Sequence, residues 1–317
     1  MEAERIREWL MGPVVAVATP FGEDFSLDLD ALQENVRYMI DHGIRTGQGA
    51  LLVAAAGGEH PTLNADERKA VMESAVEAAQ GEVPVLASIQ HTDVRVIIDL
   101  ARHASRAGLQ GAQLGPTYYY PPTEGDALRL FQMVAEESDV SLMVYHTYWE
   151  GLNMSLDLLK RLAEIPTVRG LKWDAPTDAE YQRGFAALHD DLVIIDNSAR
   201  YALGHSLGGR GFITHVGAFW PEYPIRIWDL LERGDYDGVE DALAAFQEPW
   251  GLWTGKVEAA TGGEGPFIKA AMEAIGLRAG PPRPPSVRPP EHLLAEIREL
   301  LKSSRAPHAG ERTQATA

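Results

Sequence analysis

Short apolar runs alternate along the chain with longer stretches in which apolar residues recur every three or four positions. The short runs lie at Val14–Ala18, Leu51–Ala55, Val83–Ser88, Gly111–Leu114, Ser141–His146, Val168–Lys172, Leu192–Ile195 and Gly211–Thr214, and each predicts a strand. The periodic stretches Asp28–Asp41, Ala65–Gln80, Val94–Ala107, Ala127–Glu137 and Leu156–Ala163 predict helices between them. Side chains suited to capping free backbone N–H groups precede two of these, Asn64 and Asp93. Such alternation is the pattern of βα units feeding a parallel sheet. Eight units without a large break favour a closed (β/α)8 barrel of the TIM type over an open doubly wound sheet. The open sheet would carry a glycine-rich phosphate fingerprint after its first strand, where this chain has Thr19-Pro20-Phe21-Gly22.

The barrel is expected over residues 1–222. Helical patterns near Tyr236–Phe246, Pro266–Ile275 and Glu291–Leu301 predict a helical extension packed on it over 223–303. Six prolines within Pro281–Pro290 predict an extended connector. The polar segment 304–317 is expected to be disordered. The length of 317 residues suits one barrel with additions, since such barrels need about 250 residues.

Net charge changes the list of partners. At −18, the chain lacks the clustered Lys and Arg that binding to a phosphate backbone requires, so a nucleic-acid partner is not expected. Cysteine is absent, which removes disulfides, thiolate nucleophiles and cysteine-held metals. Histidine spacing shows neither His-x-His nor His-Glu-x-x-His, so no metal site and no cofactor is expected. Thr261-Gly262-Gly263-Glu264-Gly265 is glycine-rich, but no lysine follows at phosphate-loop spacing, and a turn before a helix is the expected role. No segment reaches the roughly 18 apolar residues of a membrane span, and Met1–Met11 lacks the apolar run of a signal peptide. A cytoplasmic protein is expected.

In a barrel of this kind the chemistry sits where strands end, at the C-terminal face. Alternation puts Met143 and Tyr145 on one face of the fifth strand, and Val168, Gly170 and Lys172 on one face of the sixth. If both faces point inward, a phenol and an amine end adjacent strands side by side, and Gly170 leaves space beneath the lysine. A lysine buried there loses hydration, which disfavours its ammonium form, and a neutral amine is what attack on a carbonyl carbon requires. The alternative is a lysine that snorkels out of the strand end beside a tyrosine of the ordinary core.

Over nearly the whole chain the sequence resembles the dihydrodipicolinate synthase / N-acetylneuraminate lyase family of class I aldolases. The matching pieces are Ala18-Thr19-Pro20-Phe21, Gly58-Glu59, Asp66-Glu67-Arg68, Tyr119-Tyr120-Pro121-Pro122, Val144-Tyr145, Gly170-Leu171-Lys172 and Gly208-Gly209-Arg210-Gly211-Phe212-Ile213, in that order. The resemblance implies a Schiff-base lyase acting on a small-molecule 2-oxo acid, with Lys172 as the imine-forming lysine and Tyr145 as the proton shuttle. It implies that Tyr119 reaches across a dimer interface into a neighbouring site, with Tyr118 as the substitute if the match slips by one. A homotetramer is the assembly it implies.

The departures from the family matter as much. Where the family has Gly-Thr-Thr-Gly-Glu after the second strand, this chain has Ala55-Ala56-Gly57-Gly58-Glu59. Two hydroxyls are gone, yet consecutive N–H groups at Ala56, Gly57 and Gly58 can still form an anion-binding nest. After Tyr145 the lysine-biosynthesis enzymes carry an arginine for the second substrate's carboxylate. Here Tyr145-His146-Thr147-Tyr148-Trp149-Glu150 has none, and Glu150 repels such a group. Further substrate-binding candidates are His146, Trp149, Trp173, Asp196 and Ile213. For His146 and Glu59 a structural role is the stronger reading; for Trp149, Trp173 and Trp220 the alternatives are a pocket rim and ordinary packing. The functions these residues suggest are an aldolase-type lyase for an oxo acid with a bulky or aromatic portion, a dehydratase of a sugar-derived oxo acid, or a catalytically idle oxo-acid-binding barrel.

Overall fold

A computed structural model describes residues 2–307. Eight strands form a closed barrel in the order β1 to β8: β1 Gly12–Ala16, β2 Ala50–Val53, β3 Val85–Ser88, β4 Gly111–Leu114, β5 Ser141–Tyr145, β6 Val168–Trp173, β7 Val193–Asp196 and β8 Gly211–Thr214. Helix α1, Glu2–Trp9, precedes the first strand. Then α2 Leu29–Asp41, α3 Ala65–Ala79, α4 Val94–Ala107, α5 Glu124–Glu137, α6 Leu156–Ala163, α7 Asp178–Leu188 and α8 Tyr201–Ser206 separate successive strands. The expected (β/α)8 barrel is therefore the fold, with C-terminal helices α9 Glu222–Glu232, α10 Tyr236–Ala242, α11 Glu248–Thr261, α12 Gly265–Ala274 and α13 Glu291–Ser303. Among the described residues no helix is long and apolar enough to cross a membrane.

Local chemistry accounts for the element ends. Asn64 and Glu67 cap α3 reciprocally, each side chain accepting the other's backbone N–H at 2.9 Å. Asp93 caps α4, and Thr123 with Asp126 forms a capping box on α5. Residues 304–307 close α13 in a turn, where the Ala306 N–H donates to the Leu301 carbonyl; positions 308–317 of the expected tail lie outside the described residues.

The chain divides into two compact units. One comprises the residues up to Val14, Arg45–Leu52 and Gln80–Ile213; the other comprises Val15–Ile44, Val53–Ala79 and the chain from Thr214 on. In the first unit the space beneath Lys172 is filled. Leu10 and Met143 approach Gly170 so closely that a Cβ there would meet Leu10 Cδ2 at 3.1 Å and Met143 Cγ at 3.2 Å. Leu10 follows α1, a helix that the apolar spacing of the first eleven residues left unforeseen. Closure of the barrel needs a second glycine contact: a Cβ on Gly211 would lie 2.1 Å from the Gly12 carbonyl oxygen.

In the second unit the C-terminal helices enclose an aromatic cluster. The segment foreseen as one helix, Tyr236–Phe246, is α10 followed by a π-helical turn, Leu243–Gln247, that runs directly into α11. Phe246 of that turn packs against Trp220, Tyr223 and Trp250, with ring centroids 5.1 to 6.2 Å apart. Trp253 donates its indole N–H to the Leu293 carbonyl at 2.9 Å.

Two glycines test the packing by opposite signs. A Cβ on Gly184 of α7 would lie 2.3 Å from the Trp173 ring, whereas one on Gly251 of α11 meets nothing within 4 Å. Gly184→Ala should destabilise by about 1–3 kcal/mol through overpacking, and Gly251→Ala should stabilise by about 0.4–1 kcal/mol. Chemical-denaturation midpoints of the two variants check both, and shifts of the same sign would contradict the packing described.

Candidate active site

Alternation along β6 decides the site. Lys172 and Trp173 are consecutive, so they leave opposite faces of the strand. Trp173 faces the helical layer: it is 3% exposed, packs on Gly184 of α7 and donates its indole N–H to the Tyr181 carbonyl at 3.2 Å. Lys172 therefore faces the barrel interior, where it is 7% exposed. On β5, Tyr145 stands in register with it, and the Lys172 Nζ lies 4.1 Å from the centroid of the Tyr145 ring. The expected pair is thus brought together, and the alternative of a lysine snorkelling into solvent is not what the strand ends show.

The expected rim of three tryptophans is not assembled. Trp173 is committed to helix packing because it holds the outward parity of the strand on which Lys172 points in. Trp220 stacks in the C-terminal aromatic cluster, 5.2 Å from Tyr223 and 5.1 Å from Phe246. Trp149 alone of the three is open, 54% exposed and edge-on to Tyr148 at 5.0 Å.

The other candidates of the first unit divide in the same way. His146 is buried, with Nδ1 3.0 Å from the Asp174 carbonyl and Nε2 3.1 Å from Asn153 Oδ1. Burial holds its pKa below the ordinary imidazole value, so the ring is neutral at physiological pH. Asp196, at the end of β7, is buried and accepts from the Tyr181 hydroxyl at 2.6 Å and the Ser198 hydroxyl at 2.5 Å. Burial raises its carboxyl pKa above the usual range against the pull of those two donors. Burial likewise raises Asp174, which Arg200 partly offsets from 3.0 Å. Ile213 is half-buried on β8. Tyr119 is 84% exposed with φ at +85°, unusual for a bulky residue, and meets Tyr120 edge-on at 4.9 Å; Tyr118 is half-buried.

In the second unit the turn after β2 retains part of the expected nest. The Gly58 N–H is spent on the Ala55 carbonyl and the Glu59 N–H on the Ala56 carbonyl. Those of Ala56 and Gly57 donate to no backbone acceptor among the described residues. Both glycines are required: a Cβ on Gly57 would lie 2.7 Å from Ile268 Cδ1, and one on Gly58 2.9 Å from the Val17 carbonyl oxygen. Thr19 donates its hydroxyl to the Gly58 carbonyl at 2.8 Å. Glu59 turns away into the protein, where it pairs with Lys269.

One group at this end of the chain escaped the sequence reading. His215 follows β8 directly; its Nε2 lies 3.0 Å from Glu264 Oε2, and its Cδ2 lies 3.5 Å from where a Gly57 Cβ would stand. Thr261–Gly265 is the turn expected, with Gly262 and Gly263 at positive φ, and it is this turn that presents Glu264 to the imidazole. A carboxylate on one ring nitrogen leaves the other to exchange a proton or a hydrogen bond. The two-residue step from Ile213 was the signal available for it.

Residues 10–304 match the dihydrodipicolinate synthetase family. An uncharacterised DapA-like lyase of Halobacterium salinarum is 30% identical over 281 residues, 87% of this chain and 88% of its own. The chain belongs to the dihydrodipicolinate synthetase family. That places it among lyases of the class I aldolase kind, as the sequence motifs implied. A second family relative, the 4-hydroxy-tetrahydrodipicolinate synthase of Archaeoglobus fulgidus, is 27% identical over 297 residues, covering 92% of this chain and 97% of its own. The family fold extends to the crystal structure of N-acetylneuraminate lyase from Mycoplasma synoviae, with a TM-score of 0.82 at 21% identity over 93% of this chain and 98% of that one.

The buried carboxyl at the end of β7 supplies a test of the site's electrostatics. Because burial raises its pKa, Asp196 binds its proton more tightly folded than unfolded, and ionising it opposes folding as pH rises. Asp196→Asn should therefore gain stability relative to wild type at pH 7, and the gain should shrink as pH falls to 4. Denaturant midpoints of both proteins at the two pH values measure it; a gain that grows toward acid would refute the assignment.

Proposed function

We propose that this protein is a Schiff-base lyase that makes or breaks a carbon–carbon bond adjacent to a 2-oxo acid. The observation that carries the reading is the Tyr145–Lys172 pair, in register at the ends of β5 and β6 with the amine 4.1 Å from the phenol ring centroid. The Lys172 amine attacks the keto carbon, the carbinolamine loses water, and the resulting iminium is an electron sink for the bond next to it. Tyr145 moves the protons of those steps. The N–H groups of Ala56 and Gly57 take the carboxylate, with Gly58 holding the turn. Tyr119, exposed and at positive φ, is the residue that would enter a neighbouring subunit's site in a homo-oligomer, a tetramer by the family's habit.

Borohydride reduction in the presence of a suitable 2-oxo acid should add the mass of the reduced adduct to the peptide holding Lys172. Lys172→Ala should abolish it, Tyr145→Phe should lower kcat by about 10²–10⁴-fold, and EDTA should leave activity unchanged. Adduct on another lysine, or loss of activity to the chelator, would refute the mechanism.

The substrate reading is an oxo acid with an apolar or aromatic distal portion, and not the substrate pair of lysine biosynthesis. The segment after Tyr145 offers Glu150 where a second carboxylate would need a cation, and losing a charge-assisted hydrogen bond lowers affinity by about 10–150-fold. Support for the apolar portion now rests on Trp149 with Tyr148, since the other two tryptophans are engaged in packing. Aromatic stacking contributes about 0.5–1.5 kcal/mol, so Trp149→Ala should lower kcat/KM for aryl-substituted oxo acids by about 2–10-fold and leave polyhydroxy acids unaffected. Preference for a sugar-derived acid, with a single dehydrated product and no effect of the substitution, would favour the dehydratase instead. Robust condensation of pyruvate with aspartate semialdehyde would return the chain to lysine biosynthesis.

A further inference from the structure

The second unit buries a lysine that the imine chemistry leaves unused. Lys269 of α12 is 2% exposed and Glu59, at the end of the turn after β2, is 6% exposed; their charged atoms are 2.6 Å apart. The ammonium also donates to the Pro281 carbonyl at 3.0 Å and lies 4.1 Å over the Phe21 ring. The second oxygen of Glu59 accepts the Arg283 backbone N–H at 3.0 Å, and the Arg283 side chain is fixed in turn by Glu67 and the Thr62 carbonyl. Gly265 is part of the fit: a Cβ there would lie 2.4 Å from Glu59 Cγ. One residue before Lys269, Ile268 presses on Gly57.

Stability does not account for this pair. Burial disfavours the ammonium by more than Glu59, and more distantly Glu273, restores, while Arg283 adds repulsion, so the Lys269 pKa falls to about 8. The folded chain therefore holds that proton less well than water does, and an apolar side chain of similar volume would serve the core at no loss. What the pair does provide is a fixed point. Glu59 sits at φ +56°, a conformation a non-glycine residue keeps only when its surroundings impose it. It is two residues beyond Gly57, and its own N–H closes the turn onto Ala56.

We propose that Lys269 and Glu59 are a positioning pair for the substrate carboxylate, through which α12 holds the Ala56–Glu59 turn with its two free N–H groups aligned. The assignment rests on the reading that this turn takes the oxo acid's carboxylate. Neither residue touches substrate. Their effect belongs in KM for the acid, with kcat little changed. As pH rises through about 8 the ammonium is lost and Glu59 is left without its partner, so KM should climb between pH 7.5 and 9.5.

Removing one partner alone leaves an uncompensated buried charge and threatens folding, so the decisive variant is the double one, Lys269→Met with Glu59→Gln. It should fold with a denaturation midpoint no lower than that of wild type. Its KM for the 2-oxo acid should be at least about tenfold higher, its kcat within about threefold, and its KM flat from pH 7.5 to 9.5 where that of wild type rises. Lys172 should still be trapped by borohydride at saturating acid. A folded double variant with normal KM and normal trapping overturns the positioning role and leaves the imine reading intact. Failure of wild type itself to form the Lys172 adduct overturns that reading, and this inference with it. A double variant that loses stability in step with activity identifies the pair as structural and overturns the proposal.

Discussion

A strand in a closed barrel has no edge and two faces, one turned to the interior and one to the surrounding helices, and successive side chains must take them in turn. On β6 this constraint assigns every residue. Gly170 and Lys172 face in, and Trp173 faces α7, where Gly184 makes room for its indole. The pairing with β5 then sets Tyr145 level with Lys172. Neither orientation can change without the other, because a one-residue slip would drive an indole into the barrel and an ammonium into the apolar helical layer. The chemistry proposed for this protein is thus a by-product of register.

Close approach without side chains is the second recurring device. Gly170 admits Leu10, Gly211 admits the backbone of Gly12, and Gly57 admits Ile268. In each case a methyl group would occupy a space already filled. The glycines of the turn after β2 are accordingly not a mark of looseness. Hydrogen bonds, a buried ion pair and an isoleucine hold that turn from several sides.

Alternation made much of this legible in the sequence. It located the strands to within two residues and singled out Lys172 and Tyr145, since a period of two needs only neighbours in the chain. The same rule, applied one residue further, would have placed Trp173 outside the site; its position beside the lysine in sequence was taken for proximity in space. Trp220 was misplaced for another reason. It follows β8, but aromatic partners contributed by α9 and the π-helical turn draw it into the C-terminal cluster. The Glu59–Lys269 contact spans 210 positions and leaves no periodic trace, because a buried ion pair is set by where the fold brings two segments together. Helix α1 was hidden by its charge: the side chains Ile6, Trp9 and Leu10 that engage the barrel are scattered among arginines and glutamates.

The π-helical turn at Leu243–Gln247 has a consequence for how this chain tolerates changes in length. A π turn holds one residue more than the α turn it replaces, so it behaves as an insertion absorbed inside a continuous helix. The surplus residue offsets everything that follows by about 100° of rotation, given 3.6 residues per α turn. Excising a single residue here would restore regular winding and swing α11 by that angle. Trp250 would then leave its place against Phe219, and the Trp253 indole would leave the Leu293 carbonyl. Related chains of different length in this region must therefore re-clock the whole C-terminal aromatic cluster, whereas gains and losses in the exposed loop around Trp149 carry no such phase requirement.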